Sequence, residues 1–120
     1  MSQLFRILFL FALSSAALLA TEIDTLRQRI HDDFVAKTDV TEAETFLDTF
    51  LENEGEGDYG SWSDINYYDR DASLWTPIFH LRRLRAIGAA YYRTGHSLYQ
   101  DSRALTVIED GLDYWLSDSN

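Results

Sequence analysis

The chain has 120 residues, with 10 Lys+Arg against 20 Asp+Glu and a formal net charge of −10. That balance speaks against nucleic acid as a partner, because phosphate binding needs a basic surface. With 46% hydrophobic residues and no cysteine, disorder, disulfides, thiolate metal sites and a lipoprotein anchor are all excluded.

Residues 1–20 read as an export signal. Arg6 is their only charge, Ile7 to Leu13 is an apolar run, and Ser14, Ser15, Ala16, Ala17, Leu18, Leu19 and Ala20 follow. A basic start, a short apolar core and small residues before the junction are what a secretory signal requires. Cleavage is expected after Ala17 or Ala20, leaving residues 21–120 as one small domain that is secreted or periplasmic. The uncharged run is shorter than the roughly 20 residues that span a bilayer, so no stable membrane anchor is expected.

The first helix of the exported part is predicted from about Glu22 to Lys37, with Ile23, Leu26, Ile30 and Phe34 at helical spacing. The second starts near Thr41, where Thr41-Glu42-Ala43-Glu44 has the pattern of a capping box. Ala43, Phe46, Leu47, Phe50 and Leu51 form its apolar side. Asn53 to Gly60 breaks the pattern with three glycines and three acids. Gly60 to Trp75 is a loop rich in large aromatics, and such loops either have a job or pack tightly.

The third helix has the clearest punctuation. Thr76 suits the N-cap, Pro77 the first helical position, and Gly95 a left-handed stop. Leu81, Leu84, Ile87, Gly88 and Tyr91 fall on one face, with Arg82, Arg85 and Arg93 opposite. Gly88 would let another helix approach closely. The fourth helix follows Asp101, a good cap, with Leu105, Ile108, Leu112 and Trp115 as its buried stripe. The expected fold class is therefore all-α, with the helices arranged as hairpins. Charge is uneven along it: residues 21–60 carry 12 acids and 3 bases, whereas Pro77 to Gly95 carries four arginines and no acid.

Few residues suggest chemistry. His31, His80 and His96 are the only histidines. No metal-binding HExxH pair, phosphate loop, dinucleotide fingerprint or nucleophile elbow is present. No catalytic residue, metal ligand or cofactor is assigned. His80, beside the apolar face of the third helix, is expected to be buried and hydrogen-bonded. His31, Asp32 and Asp33 read as a solvated acidic face, since adjacent helical residues point apart. Trp62, Asp64, Tyr67 and Trp75 could hold a sugar, the rings stacking on its apolar face. The competing expectation, which we favour, is that these aromatics close the core over the helix ends. Arg82 and Arg85 could meet uronate carboxylates in bidentate geometry, or form a solvated face.

From Gly60 to Trp115 the residues fall in a recognisable order. They are Gly60-Ser61-Trp62, Asp64-Ile65, Tyr67, Trp75, Pro77, His80-Leu81, Leu84, Ala90-Tyr91, Tyr99, Asp101 and Tyr114-Trp115. This half of the chain resembles the start of the helical domain of polysaccharide lyase family 8, the chondroitin AC, hyaluronate and xanthan lyases. The resemblance implies antiparallel helical hairpins forming an incomplete α/α toroid. It also implies an acidic polysaccharide, a glycosaminoglycan or xanthan-like chain, as partner of the full-length enzyme. Such enzymes cleave by β-elimination, using asparagine, histidine, tyrosine and arginine residues that lie downstream of the matched segment. The chain is then expected to be the N-terminal portion of a secreted lyase and inactive alone. Two other functions stay open: a self-standing secreted carbohydrate-binding module and a small helical interaction protein.

Overall fold

The computed structural model describes the backbone of residues 2–117 and the side chains of residues 17–117. Among the described residues there are four helices and no strand: α1 (Ser2–Lys37), α2 (Ala43–Leu51), α3 (Ile78–Tyr92) and α4 (Ser102–Ser117). The chain divides into two units, with the boundary after Phe34.

The first unit is the helical run up to Phe34. Helix α1 begins well before the expected start at Glu22, because Ser2 to Lys37 contains strong helix formers and neither Gly nor Pro. The predicted export signal lies largely outside the described side chains. Local hydrogen bonds run along α1 from Ala17 onward: Thr21 and Thr25 hydroxyls donate to carbonyls one turn back, and Gln28 Nε2 donates to Asp32 at 2.8 Å. Of the expected apolar stripe, Ile23, Leu26 and Ile30 are exposed and Phe34 is half-buried. Among the described residues no helix is long and apolar enough to cross a membrane.

The second unit starts with the last turn of α1 and holds the core. Helices α2, α3 and α4 all touch one another. Their shared interior is Ala43, Leu47 and Phe50 from α2, Leu84, Ile87 and Ala90 from α3, and Ala104 and Val107 from α4. Trp62, Ile65 and Leu98 join it from the connections. The apolar side expected of α2 is therefore the one it buries.

Two helix starts differ from the sequence reading. Thr41 does not cap α2: its amide and hydroxyl both turn back to Asp39 Oδ1, at 3.0 and 2.6 Å. The residue before α2 is Glu42, with no side-chain cap. Glu44 instead accepts from the Ser97 hydroxyl in the α3–α4 connection. Likewise Thr76 does not cap α3. Its amide and hydroxyl hold Asp69 Oδ2, at 3.2 and 3.0 Å, which closes the preceding loop. Pro77 leads into α3 with helical φ of −55°. Asp101 does cap α4, accepting the Arg103 amide at 2.9 Å, and its carboxyl is held low first by the Arg103 guanidinium and then by that amide.

Helix α3 stops at Tyr92, and Gly95 adopts φ +90° in the turn beyond. Arg93 is not a solvated cation. Its guanidinium donates to the Val35 and Thr38 carbonyls, the second at 2.8 Å, satisfying free acceptors at the end of α1. Helix α4 departs in part from expectation. Ala104, Val107 and Gly111 are buried, whereas Leu105 and Leu112 are 40% and 41% exposed. Of the expected stripe, Ile108 packs against the core and Trp115 stacks on His80, while Leu105 and Leu112 give the inward place to the small residues beside them. Small residues win the inward face because α3 comes close: a Cβ on Gly111 would sit 2.7 Å from Leu84 Cδ2. Gly111, beside the expected stripe of α4, is thus a glycine that admits a neighbouring helix.

Candidate functional site

Several residues between Gly60 and Trp115 come together in one place, the surroundings of His80. Three parts of the second unit meet there. The loop supplies Trp62 and Tyr67, α3 supplies His80, and α4 supplies Gly111, Tyr114 and Trp115. His80 and Trp62 are 0% and 1% exposed.

Local chain geometry explains the loop residues. Gly60 takes φ +106°, which L side chains rarely adopt, and lies against Tyr114; an added Cβ would be 2.8 Å from Tyr114 Cβ. Ser61 is buried and returns its hydroxyl to the Asp58 carbonyl at 2.7 Å. Trp62 then enters the core. Its indole N–H donates to the Phe46 carbonyl of α2 at 3.1 Å, and its ring meets Phe50 edge-on at 4.9 Å. So Gly60-Ser61-Trp62 is a turn that delivers an indole to the centre.

His80 is bonded through both ring nitrogens. Nε2 lies 2.7 Å from the Gly111 carbonyl and Nδ1 lies 2.8 Å from the Tyr67 hydroxyl. A carbonyl only accepts, so Nε2 carries the hydrogen and a neutral ring accepts from Tyr67 at Nδ1. Tyr67 oxygen in turn accepts the Trp62 amide at 3.0 Å. The result is an ordered chain from Trp62 N–H through Tyr67 and His80 to Gly111. Aromatic rings enclose it: Tyr114 and Trp115 stack on the imidazole at 5.9 and 5.3 Å, and Trp62 and Tyr67 meet it edge-on. Burial pushes His80 below the ordinary imidazole value and pushes the Tyr67 phenol up to about 12.

A tyrosine beside a histidine is also how an acid–base pair begins, so its reach matters. Here Tyr67 oxygen already donates to His80 and accepts from Trp62, and His80 has no exposed surface. A general base must lie within hydrogen-bond distance of the proton it removes. This pair holds backbone and ring together and offers no such approach to a polysaccharide.

The sequence candidates fall in three places. Trp62, Asp64 and Tyr67 sit together around α3, but Trp62 has no free face for a sugar. Asp64 is held by Arg83, which was not among the candidates, through two 2.7 Å hydrogen bonds. That fork keeps the Asp64 carboxyl below the usual carboxylate range. The Arg83 guanidinium lies over the Phe46 and Trp62 rings, at 5.1 and 5.4 Å from their centroids. It borders an open concavity of about 300 Å³ that also takes in Thr45, Thr49 and Glu52. A second concavity, of about 220 Å³, lies between Asn66, Tyr67, Tyr68 and Tyr114.

Trp75 is elsewhere, 44% exposed and edge-on to Trp115 at 6.1 Å. The expectation that it closes the core is thus met by Trp62 and only in part by Trp75. Arg82 reaches the Phe79 ring at 5.5 Å, and Arg85 is exposed. Neither is the arginine that meets the aromatic loop.

Arg83 could have been found from spacing. It lies three residues after His80 and four before Ile87, beside the buried face rather than opposite it. Among the described residues no group of His, Asp and Glu is arranged to hold a metal ion. Compared with protein-family models, curated proteins and solved structures, the chain matches none.

Proposed function

We propose that this chain is the N-terminal part of the helical domain of an exported polysaccharide lyase, where it serves as a folding platform and not as the chemical centre. One observation carries the reading. About half of the residues that carry the resemblance meet at the His80 knot, Gly60, Ser61, Trp62, Tyr67, His80, Leu84, Tyr114 and Trp115 among them, whereas Trp75 and Tyr99 are 44% and 41% exposed. In an α/α toroid each helical hairpin leans on the next, and a knot joining the loop, α3 and α4 would give the following hairpin a fixed surface. The acidic polysaccharide would be bound and cleaved by residues outside residues 1–120.

Elimination requires carboxylate neutralisation, a base at C5 of the uronate and a proton donor for the leaving oxygen, all in one cleft. Around His80 the chain presents an arginine already forked to Asp64 and a tyrosine already bonded on both sides. Contact without a free base gives binding rather than turnover.

The test is to read the coding sequence downstream of the Asn120 codon in the source genome. The proposal expects an in-frame continuation with an aromatic cluster and a later asparagine, histidine, tyrosine and arginine set. An in-frame stop at that point, in a transcript that yields a folded protein, overturns it. Export is tested by N-terminal sequencing of secreted material, expected to begin at Leu18 or Thr21. An intact Met1 held in the membrane fraction counts against export.

A further inference from the structure

The platform role does not use the fact that His80 can titrate. Its hydrogen-bond chain has a fixed polarity. Trp62 N–H donates to Tyr67, the Tyr67 O–H donates to His80 Nδ1, and His80 Nε2–H donates to the Gly111 carbonyl. Each hydrogen already has its acceptor. A second proton on the imidazole would set an N–H against the Tyr67 O–H. Tyr67 would then have to turn its hydrogen away into half-buried surroundings, where an unmet donor is costly.

Among the described residues, no carboxylate bonds the ring. On α3, Arg83 adds a cation near the ring, and its partner Asp64 is engaged by both guanidinium nitrogens. From the loop the facing titratable group is Tyr67, and from α4 it is Tyr114. Helix α2 meets the knot through Phe50, packed on Trp62. Both ring nitrogens of His80 are taken, neither by a carboxylate.

We propose that His80 is an acid-operated latch, neutral and closed when it pins the aromatic loop and the end of α4 to α3, and opened when a proton is added. Opening frees Tyr67 from the ring and brings Trp62 out of the core. The direction follows from burial, which lowers the His80 value below 6.5 in the folded state. The stabilisation from the neutral ring is complete above 6.5 and is lost as pH falls from there through the lower folded value. In that window a single proton makes the unfolding constant rise by up to about tenfold per pH unit.

The test uses the full chain, denatured with urea and followed by tryptophan fluorescence, from about pH 7.5 to about pH 5.5, above the range where carboxylates dominate. The variant is His80→Gln, whose amide can donate to Gly111 and accept from Tyr67 without titrating. His96→Gln is the control, because His96 Nδ1 accepts the Leu98 amide at 3.0 Å and takes no part in the knot. The expected result is a pH slope present in the wild type and His96→Gln and flattened by about one proton in His80→Gln. A His80→Gln protein that keeps the wild-type slope, or a slope lost in His96→Gln instead, overturns the latch. Should His80→Gln not fold, nitrogen NMR of the wild-type imidazole decides. A neutral Nε2–H ring that persists until the Trp62 environment changes, the two moving together, supports the latch. A ring that titrates while Trp62 stays packed overturns it.

Discussion

Replacing Tyr67 by Phe removes one oxygen and no ring, which isolates the hydrogen-bond chain from the packing. Two groups lose their partner: the Trp62 amide, bonded at 3.0 Å, and His80 Nδ1, bonded at 2.8 Å. Each buried group left unmet costs about 1–3 kcal/mol, against about 1 kcal/mol for an ordinary exchange with water. The Tyr67 phenol is only half-buried, so the lower part of that range applies to the loop side. The expected loss is about 2–4 kcal/mol. In a domain of this size that lowers the melting temperature by roughly 10–25 °C. Thermal unfolding by circular dichroism reads it directly. Tyr68→Phe is the matched control, since Tyr68 is 85% exposed and should change stability by no more than about 0.5 kcal/mol. If Tyr67→Phe behaves like Tyr68→Phe, the chain through His80 is not holding the loop and the reasoning fails.

Trp62→Ala should cost about 3–5 kcal/mol, the usual range for a buried large aromatic, whereas Trp75→Ala at a 44% exposed site should cost under about 1.5 kcal/mol. Equal costs in urea denaturation would show that the two indoles have been wrongly ranked. Gly60→Ala should destabilise by about 2–4 kcal/mol, combining a disfavoured left-handed backbone with overpacking. Its new Cβ would meet Tyr114 Cβ at 2.8 Å. Gly57→Ala, with nothing within 4 Å, should be neutral or slightly stabilising, and the reverse order of the two would refute this account of the turn.

Much of this architecture was legible in the sequence, and the failures share a cause. Pro77 and Asp101 marked helix starts because their effects are local: a fixed φ and a carboxylate at the first amides. The buried state of His80 was also foreseen, from its place beside an apolar face. The outlook was worse where long-range packing decides. Leu105 and Leu112 drew attention because they are large, yet α4 turns Ala104 and Gly111 inward, since only small residues admit Leu84 and the His80–Gly111 bond. Thr41 and Thr76 have ideal capping chemistry, but Asp39 and Asp69 compete for their amides and hydroxyls. The place of Arg83 beside the buried face follows from its spacing to His80 and Ile87, but its partner does not: Asp64 lies nineteen positions away in a loop whose course no periodicity describes. Likewise Trp62 and Trp75 look alike in sequence; only the turn at Gly60 sends one of them inside.

The residues from Gly60 to Trp115 are read here as architecture, and incubation with substrate separates architecture from catalysis. The purified chain is mixed with chondroitin, hyaluronan and xanthan, and the absorbance of the unsaturated uronate product is followed. No sustained increase above a protein-free control is expected, because Tyr67 and His80 are committed to each other and to the backbone. Steady turnover that vanishes in a folded His80→Gln or Tyr67→Phe variant would contradict this and place the chemistry inside the knot.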